Sequence, residues 1–120
     1  MTTVDENPAP AGSSARADAV RRAAYRMRHH VLEMGEVQGQ GYVGQALGVA
    51  DMLAVTYCDQ LRFRADDPDW ADRDRFLLST GHYAIAHYAA LAEAGVVEVE
   101  ELGTYGSDDS RPVSYTHLTL

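Results

Sequence analysis

The sequence predicts an α/β chain that is mostly helical and holds only part of a sheet. Two stretches with apolar residues at three-to-four spacing, the period of an amphipathic α-helix, precede a short apolar run. That run, Arg75–Ser79, has the length of a buried strand, and such strands are typical of parallel sheets covered by helices. A further helix follows it. Because one strand cannot form a sheet, we expect the chain to carry part of a larger α/β domain.

The first predicted helix extends from about Ser14 to Glu36. Residues 1–13 are polar, include prolines and show no periodicity, which predicts a flexible tail. Ser13 or Ser14 is a suitable N-cap for the helix that follows. The predicted apolar stripe of this helix comprises Val20, Ala23, Ala24, Met27, Val31 and Met34.

A glycine-rich stretch separates this helix from the next one. Glycines recur from Gly35 to Gly48 too often for the interior of a stable helix. This pattern predicts a loop in which the backbone turns sharply or approaches another group closely. The second helix is predicted from Ala46 to Leu61, before a polar connection that contains Pro68.

The apolar run is followed by one glycine and a helix. The helix is predicted over His82–Glu93 and ends at Gly95, a residue type that suits the position after a helix C-cap. A shorter amphipathic turn is predicted over Val99–Tyr105. Residues 14–112 thus form the predicted partial domain. The segment 113–120 lacks the expected periodicity and resembles the translated end of a sequencing adapter, so we expect it to be non-native.

The composition argues against several classes of function. The formal net charge of −8, from 10 basic and 18 acidic residues, disfavours a nucleic acid or an anionic membrane surface as the main partner. The sequence has neither an apolar run of roughly 18 residues nor a charged-then-apolar leader, so we expect no membrane span and no secretion. The single cysteine, Cys58, excludes an internal disulfide and fits a reducing cytoplasm.

Gly81 and His82 are the first candidates for chemistry. A strand, a glycine turn and a helix start place the imidazole beside backbone N–H groups that have no partner inside the helix, which suits a phosphate. The alternative is that His82 only caps or packs on the turn. His87, inside the helix, is expected to pack, and His29 and His30 are expected on the surface of the first helix.

The glycine-rich stretch and an acidic pair are further candidates. Gln38, Gln40, Tyr42 and Gln45 can hydrogen-bond hydroxyls or phosphate oxygens without bringing charge. The alternative is a close packing of helix and loop that needs small residues. Asp108 and Asp109 could ligate a metal, although acidic loops are usually only solvated.

Four ordered motifs resemble those of the transketolase family, whose members use thiamine diphosphate. The resemblance extends from about Val20 to Arg111 and looks closest to the N-terminal subunits of split transketolases. It implies the truncated N-terminal portion of a thiamine-diphosphate-binding domain, with a parallel sheet flanked by helices. The family patterns Ser-Gly-His-Pro-Gly, Gly-x-Ala-Asp, Trp-x-Asp-Arg-Asp-Arg-Phe and Ser-x-Gly-His stand here as Gln40–Gly44, Gly48–Asp51, Trp70–Phe76 and Ser79–His82.

The resemblance implies roles for four residues. The family histidine after Ser-x-Gly contacts the diphosphate region of the cofactor, which assigns His82, together with Gly81, to cofactor binding. The first family histidine touches the sugar substrate. Tyr42 stands in its place and, with Gln40, is assigned to the substrate side. A phenol can donate a hydrogen bond to a hydroxyl but cannot act as an imidazolium, which implies an altered substrate preference.

The implied reaction is the transfer of a two-carbon ketol unit between sugar phosphates. The implied cofactors are thiamine diphosphate and Mg²⁺, with the metal ligands and the activating glutamate expected beyond Arg111, so we expect the chain alone to be inactive. No catalytic residue is assigned within it. The implied partners are sugar phosphates, a C-terminal transketolase subunit or domain, and further copies in a homo- or hetero-oligomer. The alternatives are a deoxyxylulose-phosphate synthase, a ketoacid dehydrogenase component, or a non-catalytic interaction module.

Overall fold

The computed structural model describes residues 11–38, 42–104 and 118–119. Within these ranges the core is carried by helices, and no helix is long and apolar enough to cross a lipid bilayer. The α-helices are α1 (Ala11–Gln38), α2 (Val43–Val55) and α3 (Ala84–Glu93). The remaining elements are a π-helical turn (Thr56–Gln60), 3₁₀ turns (Gly81–Tyr83 and Val99–Thr104) and the strands β1 (Leu77–Leu78) and β2 (Leu118–Thr119).

α1 packs against both other helices through the apolar stripe that its sequence predicts. The stripe is confirmed from Ala23 to Met34, where each of its side chains is at most 2% exposed, whereas Val20 is only partly buried. Because the helical period brings these positions onto one face, α1 can cover α2 and α3 together. The buried apolar side chains that α2 and α3 contribute are Ala46, Ala50, Leu53, Ala54, Ala84, Ile85, Ala86, Tyr88, Ala89, Ala90, Leu91 and Ala92.

α1 is longer than its sequence predicts. It begins at Ala11, so Ser13 and Ser14 lie within its first turn rather than ahead of it. Arg16 in this early part donates two hydrogen bonds to the Asp59 carboxylate, at 2.8 and 2.9 Å, which ties the extension to the turn after α2. A contact 43 residues away in sequence is invisible to local periodicity. The rest of the predicted tail, residues 1–10, lies outside the described residues.

The glycine-rich stretch is more helical than predicted, and the expected loop over all of it is wrong. Gly35 lies inside α1, while Gly44 and Gly48 lie inside α2; residues 39–41 are outside the described ranges. A glycine inside a helix costs about 1 kcal/mol relative to alanine. In α2 this cost is offset because the opposite face buries Ala46, Ala50, Leu53 and Ala54 against the neighbouring helices.

The second predicted helix, Ala46–Leu61, is an α-helix that changes into a wider π turn. The Leu61 amide donates to the Thr56 carbonyl at 2.8 Å, and the Thr56 hydroxyl donates to the Met52 carbonyl at 2.8 Å. A threonine hydroxyl that bonds back to the preceding turn bends a helix. The buried side chain in this π turn is Tyr57.

The polar connection before β1 is held by specific side chains. The Asp74 carboxylate accepts a hydrogen bond from the Arg62 amide at 2.8 Å, and the Asp74 amide donates to the Arg62 carbonyl at 2.7 Å. The Arg64 guanidinium lies over the Trp70 ring, 4.1 Å from its centroid. Two of the motif residues, Trp70 and Asp74, therefore stabilise the connection itself.

The strand predicted over Arg75–Ser79 is shorter than expected, and the pairing described for it is antiparallel. β1 pairs with β2 in the register Leu77 to Thr119 and Leu78 to Leu118. β2 lies in the segment 113–120, which the sequence predicts to be non-native. The expected parallel sheet is thus not confirmed, because a parallel neighbour needs a crossover to a further strand and none is present among the described residues.

The end of α3 agrees with its sequence. Gly95 has φ 80°, a conformation that favours glycine, and it follows the C-cap residue Ala94. The Gly95 amide donates to the Ala92 carbonyl at 3.1 Å, and the Val96 amide donates to the Leu91 carbonyl at 2.9 Å. These two bonds form a Schellman motif, which confirms the predicted stop.

Candidate functional site

The structure brings together two residues that the sequence singles out separately. Tyr42 precedes α2, and His82 lies in the 3₁₀ turn that leads into α3. Their ring centroids are 5.2 Å apart, and both side chains are exposed. A phenol and an imidazole thus share one surface at the start of two helices.

His82 lies in a tight 3₁₀ turn that begins at Gly81. Gly81 is buried, and the residue before it, Thr80, has extended backbone and accepts a hydrogen bond from the Tyr83 amide at 3.1 Å. The first amides of a helix lack carbonyl partners within it, but here the Ala84 amide also donates to the Gly81 carbonyl, so the amides to consider for an anion are those of Gly81 and His82. The partial positive charge at the helix start favours the same ligand.

Tyr83 is a site residue that the sequence analysis does not identify. Its ring centroid lies 4.9 Å from that of His82, on a side chain that is partly buried. The imidazole of His82 is therefore in ring contact with both Tyr83 and Tyr42. The sequence offers one signal for Tyr83: it directly follows Gly81–His82, and consecutive residues in a tight turn stay close together.

A groove of about 500 Å³ lies next to these rings, between α2 and the end of β1. Gln45 is among its lining residues, so one of the amides that the sequence singles out is at the site. The groove combines apolar walls with a few hydrogen-bonding groups, as is usual for small-molecule sites. Its lining residues are Gln45, Gly48, Val49, Met52, Leu78, Thr80 and Tyr83.

A buried polar pair lies beneath the site. Tyr57 Oη and His87 Nε2 are hydrogen-bonded, and the His87 side chain is 0% exposed, which confirms that it packs in the core. Phe76 adds a third ring, with centroids 5.4 Å from Tyr57 and 5.1 Å from His87. Burial lowers the pKa of His87 to about 4 and raises the pKa of Tyr57 above its ordinary value, because each charged form would lose its hydration.

Two further histidines, His29 and His30, lie on α1 and apart from this site. His29 is exposed on α1, as the sequence predicts, and its Nε2 lies 3.3 Å from the Tyr25 hydroxyl. His30 is half-buried rather than a simple surface residue, and its Nε2 lies 3.0 Å from the Glu93 carboxylate. Arg26 donates to the other Glu93 oxygen at 2.6 Å, so Glu93 joins α3 to α1.

A second motif aspartate has a structural partner. Asp51, the last residue of the Gly-x-Ala-Asp match, accepts hydrogen bonds from Arg28 at 3.0 and 3.2 Å. This bond holds the pKa of the Asp51 carboxyl below its usual range. The pair joins α2 to α1, and both residues remain at least partly exposed.

Some predicted site residues lie beyond the described ranges. Gln40, assigned to the substrate side, and the acidic pair Asp108 and Asp109 are among them. Within residues 11–38 and 42–104, no group of three histidine, cysteine, aspartate or glutamate side chains is arranged to hold a metal ion.

Comparison with known proteins identifies the family. Residues 20–114 match the family described as transketolase, thiamine diphosphate binding domain. A transketolase-family protein of Sinorhizobium fredii is 65% identical over 88 residues, which are 73% of this chain and 32% of that protein. The transketolase of Rhodobacter capsulatus is 32% identical over 102 residues, which are 81% of this chain and 15% of that protein.

A third relative is named as a subunit. It is the 6-deoxy-6-sulfo-D-fructose transketolase subunit of a Clostridium species, 40% identical over 72 residues, which are 60% of this chain and 26% of that protein. The chain therefore spans about a third or less of the length of these relatives. Since the family match covers most of its residues, the chain belongs to the transketolase family, within the thiamine-diphosphate-binding domain.

Proposed function

We propose that this chain is the cofactor-binding part of a larger enzyme that transfers a two-carbon ketol unit between sugar phosphates. The observation that carries the proposal is the pairing of Tyr42 with His82, whose rings meet at 5.2 Å beside a groove at the start of α3. Family membership gives the cofactor class, and the geometry provides a surface where that cofactor and a sugar can meet.

His82 and Gly81 hold the diphosphate of thiamine diphosphate in this proposal. The amides of Gly81 and His82, the first two residues of the turn, donate hydrogen bonds to the anion in this proposal, because those of Tyr83 and Ala84 already bond the carbonyls of Thr80 and Gly81. The exposed imidazole of His82 adds one further hydrogen bond. Hydrogen-bond donors of this kind suit a diphosphate.

Tyr42 contacts the sugar in this proposal, with Gln40 close to it in sequence. The phenol is exposed and can donate to a sugar hydroxyl, but it carries no positive charge at neutral pH. Among the residues that line the groove, those with hydrogen-bonding side chains are Gln45, Thr80 and Tyr83, and all are uncharged. In this proposal, these uncharged groups hydrogen-bond the hydroxyls of the sugar rather than its phosphate.

Thiamine diphosphate supplies the carbanion chemistry when it is bound, and the protein supplies binding and orientation. We propose that Mg²⁺ accompanies it and that the metal ligands and the activating glutamate lie outside residues 1–111. The residues of this chain then have a limited role, because they fix only one end of the cofactor and one side of the sugar. The chain without its partner is inactive in this proposal.

We propose that the partner is a separate subunit rather than a second half of one long chain. The 88 matched residues are 32% of the Sinorhizobium fredii protein, whereas 102 matched residues are only 15% of the Rhodobacter capsulatus transketolase. The relative with the higher identity is therefore less than half as long. The Clostridium relative, named as a subunit, is covered to a similar share, 26%.

Reconstitution of the complete protein with its partner tests the proposal. The expected result is transfer of a two-carbon unit from a ketose phosphate to an aldose phosphate that requires both thiamine diphosphate and Mg²⁺. A second donor, 6-deoxy-6-sulfo-D-fructose, belongs in the panel because a relative is named for it. Condensation of pyruvate with an aldose phosphate would instead support the synthase alternative. Binding of the partner without cofactor affinity would support the non-catalytic alternative.

A further inference from the structure

Three aromatic side chains, Phe76, Tyr57 and His87, are in mutual ring contact near the segment that carries His82, and we call them the aromatic base of that segment. Phe76 lies directly before β1 and His87 lies in α3, so these two residues of the aromatic base flank the segment that contains His82. Tyr57 joins both ends, with ring centroids 5.4 Å from Phe76 and 5.5 Å from His87. The position of the His82 turn therefore depends on how Tyr57 holds its two neighbours.

The hydrogen bond between Tyr57 and His87 leaves part of the hydrogen-bonding capacity of the two side chains unused. The pair carries two polar hydrogens, one on the phenol and one on the neutral imidazole, and their mutual bond uses only one of them. His87 Nδ1 is buried and has no hydrogen-bond partner among the described residues. Replacing both partners by apolar groups of the same shape would be close to neutral for stability. The pair is therefore better explained by the fixed orientation that its hydrogen bond imposes on the two rings than by a gain in stability.

α2 connects this base to the candidate site. Tyr42 precedes its first residue and Tyr57 lies in the π turn that follows its last one. The facing partners, His82 and His87, lie on the turn and helix that start at Gly81. The two segments thus meet at two aromatic contacts, Tyr42 with His82 and Tyr57 with His87, and the buried contact contains a directional bond.

We propose that Tyr57 and His87 are positioning residues whose hydrogen bond fixes how the start of α3 lies against the π turn and so holds the His82 imidazole against Tyr42. Ring packing alone leaves the angle between the Tyr57 and His87 rings variable, because aromatic contacts tolerate a range of angles. The hydrogen bond restricts that range. The consequence for the cofactor rests on the proposed function of His82, but the consequence for the geometry does not.

The test compares Tyr57→Phe, His87→Phe and the double variant in the complete protein. The first readout is the nuclear Overhauser contact between the His82 and Tyr42 ring protons in the cofactor-free protein. The second is the affinity for thiamine diphosphate, and the third is the melting temperature. The matched control is Tyr25→Phe, which removes a tyrosine hydroxyl from a different tyrosine–histidine contact, on the exposed face of α1.

We expect Tyr57→Phe to weaken the Overhauser contact and to reduce cofactor affinity roughly three- to tenfold, the range for loss of one hydrogen bond. The double variant should regain most of the melting temperature, because no polar group is left unpaired, but not the contact or the affinity. Tyr25→Phe should change none of the three. These results together would support a positioning role.

Two outcomes would overturn the proposal. One is an unchanged contact between His82 and Tyr42 in both Tyr57→Phe and the double variant. The other is a double variant that regains the contact along with its stability, since the rings would then act by packing alone. An unchanged cofactor affinity in His82→Ala would refute the proposed function of His82 instead, and the Overhauser contact would still decide the positioning role.

Discussion

Asp74 and Arg62 close the connection between α2 and β1 through three kinds of contact. The Asp74 carboxylate accepts the Arg62 amide at 2.8 Å and lies 3.3 Å from the Arg62 guanidinium, and the Asp74 amide donates to the Arg62 carbonyl at 2.7 Å. These bonds fix where the chain enters β1 and therefore where Gly81 and His82 lie. A residue of the Trp-x-Asp-Arg-Asp-Arg-Phe match thus acts on the site from outside it.

Asp74→Ala should lower the melting temperature by several degrees at neutral pH, because the Arg62 amide loses its acceptor. Asp74→Asn should lower it less, since the side-chain oxygen can still accept that bond. The bonds to Arg62 lower the pKa of Asp74, so the stabilisation is present above the ordinary pKa of an aspartate and is lost as the pH falls through the lowered value. Thermal melts of both variants at neutral and acidic pH measure this, with the exposed Asp72→Ala as the control.

Gly48→Ala should stabilise the protein by about 0.5–1 kcal/mol, because the residue is inside α2 and nothing lies within 4 Å of the added Cβ. Gly44→Ala should do the same, for the same reason. Gly95→Ala should be destabilising, because φ is 80° there. Denaturant unfolding gives all three values. Destabilisation by Gly48→Ala and Gly44→Ala alike would contradict the helix described for this stretch.

The stability of the protein should fall by roughly 3 kcal/mol between pH 7 and pH 4 through His87 alone. Burial lowers the pKa of His87 from 6.5 to about 4, so the unfolded chain takes up a proton in this interval before the folded chain does. Proton binding to the unfolded state destabilises the fold as the pH falls, and the effect levels off below the folded pKa. Urea unfolding across this range should show that the variant with Tyr57→Phe and His87→Phe loses this share of the pH dependence. An identical pH dependence in both proteins would refute it.

His82→Ala should weaken thiamine diphosphate binding by roughly 10- to 100-fold in the complete, magnesium-loaded enzyme, because one charge-assisted hydrogen bond is lost. The melting temperature of the cofactor-free protein should change little, since the side chain is exposed. Calorimetric titration and thermal melts measure the two effects. His29→Ala, which removes an exposed imidazole from α1, is the matched control. A lower melting temperature with unchanged affinity would make His82 a packing residue.

Tyr42→Phe should reduce turnover more than cofactor affinity, because only the contact of the phenol with a sugar hydroxyl is lost. Such a contact is worth about 0.5–1.5 kcal/mol. The ring itself remains beside His82, so the cofactor side of the site keeps its packing. Steady-state kinetics with a ketose phosphate, together with cofactor titration, separate the two. Equal losses in turnover and affinity would argue against a substrate role.

The sequence alone predicted those features of the fold that depend on residues close together in the chain. The three-to-four spacing from Ala23 to Met34 predicted the buried face of α1, and Gly95 predicted the end of α3, because both depend on residues within one or two turns. The sequence also predicted a strand before Gly81, although in the structure this strand comprises only Leu77–Leu78. His82 was identifiable as a candidate because a glycine turn before a helix has the same chemistry wherever it occurs.

Only the tertiary structure decided the features that depend on distant residues. It brought Tyr42 to His82 and Tyr57 to His87, across 40 residues in one case and 30 in the other, and it extended α2 from the predicted start at Ala46 back to Val43, over Gly44. It also gave β1 an antiparallel partner where the sequence predicted a parallel one. The physical reason is shared by all three: their free energy comes from burial and hydrogen bonding between segments that meet only after folding, and no short window of sequence contains both sides of such a contact.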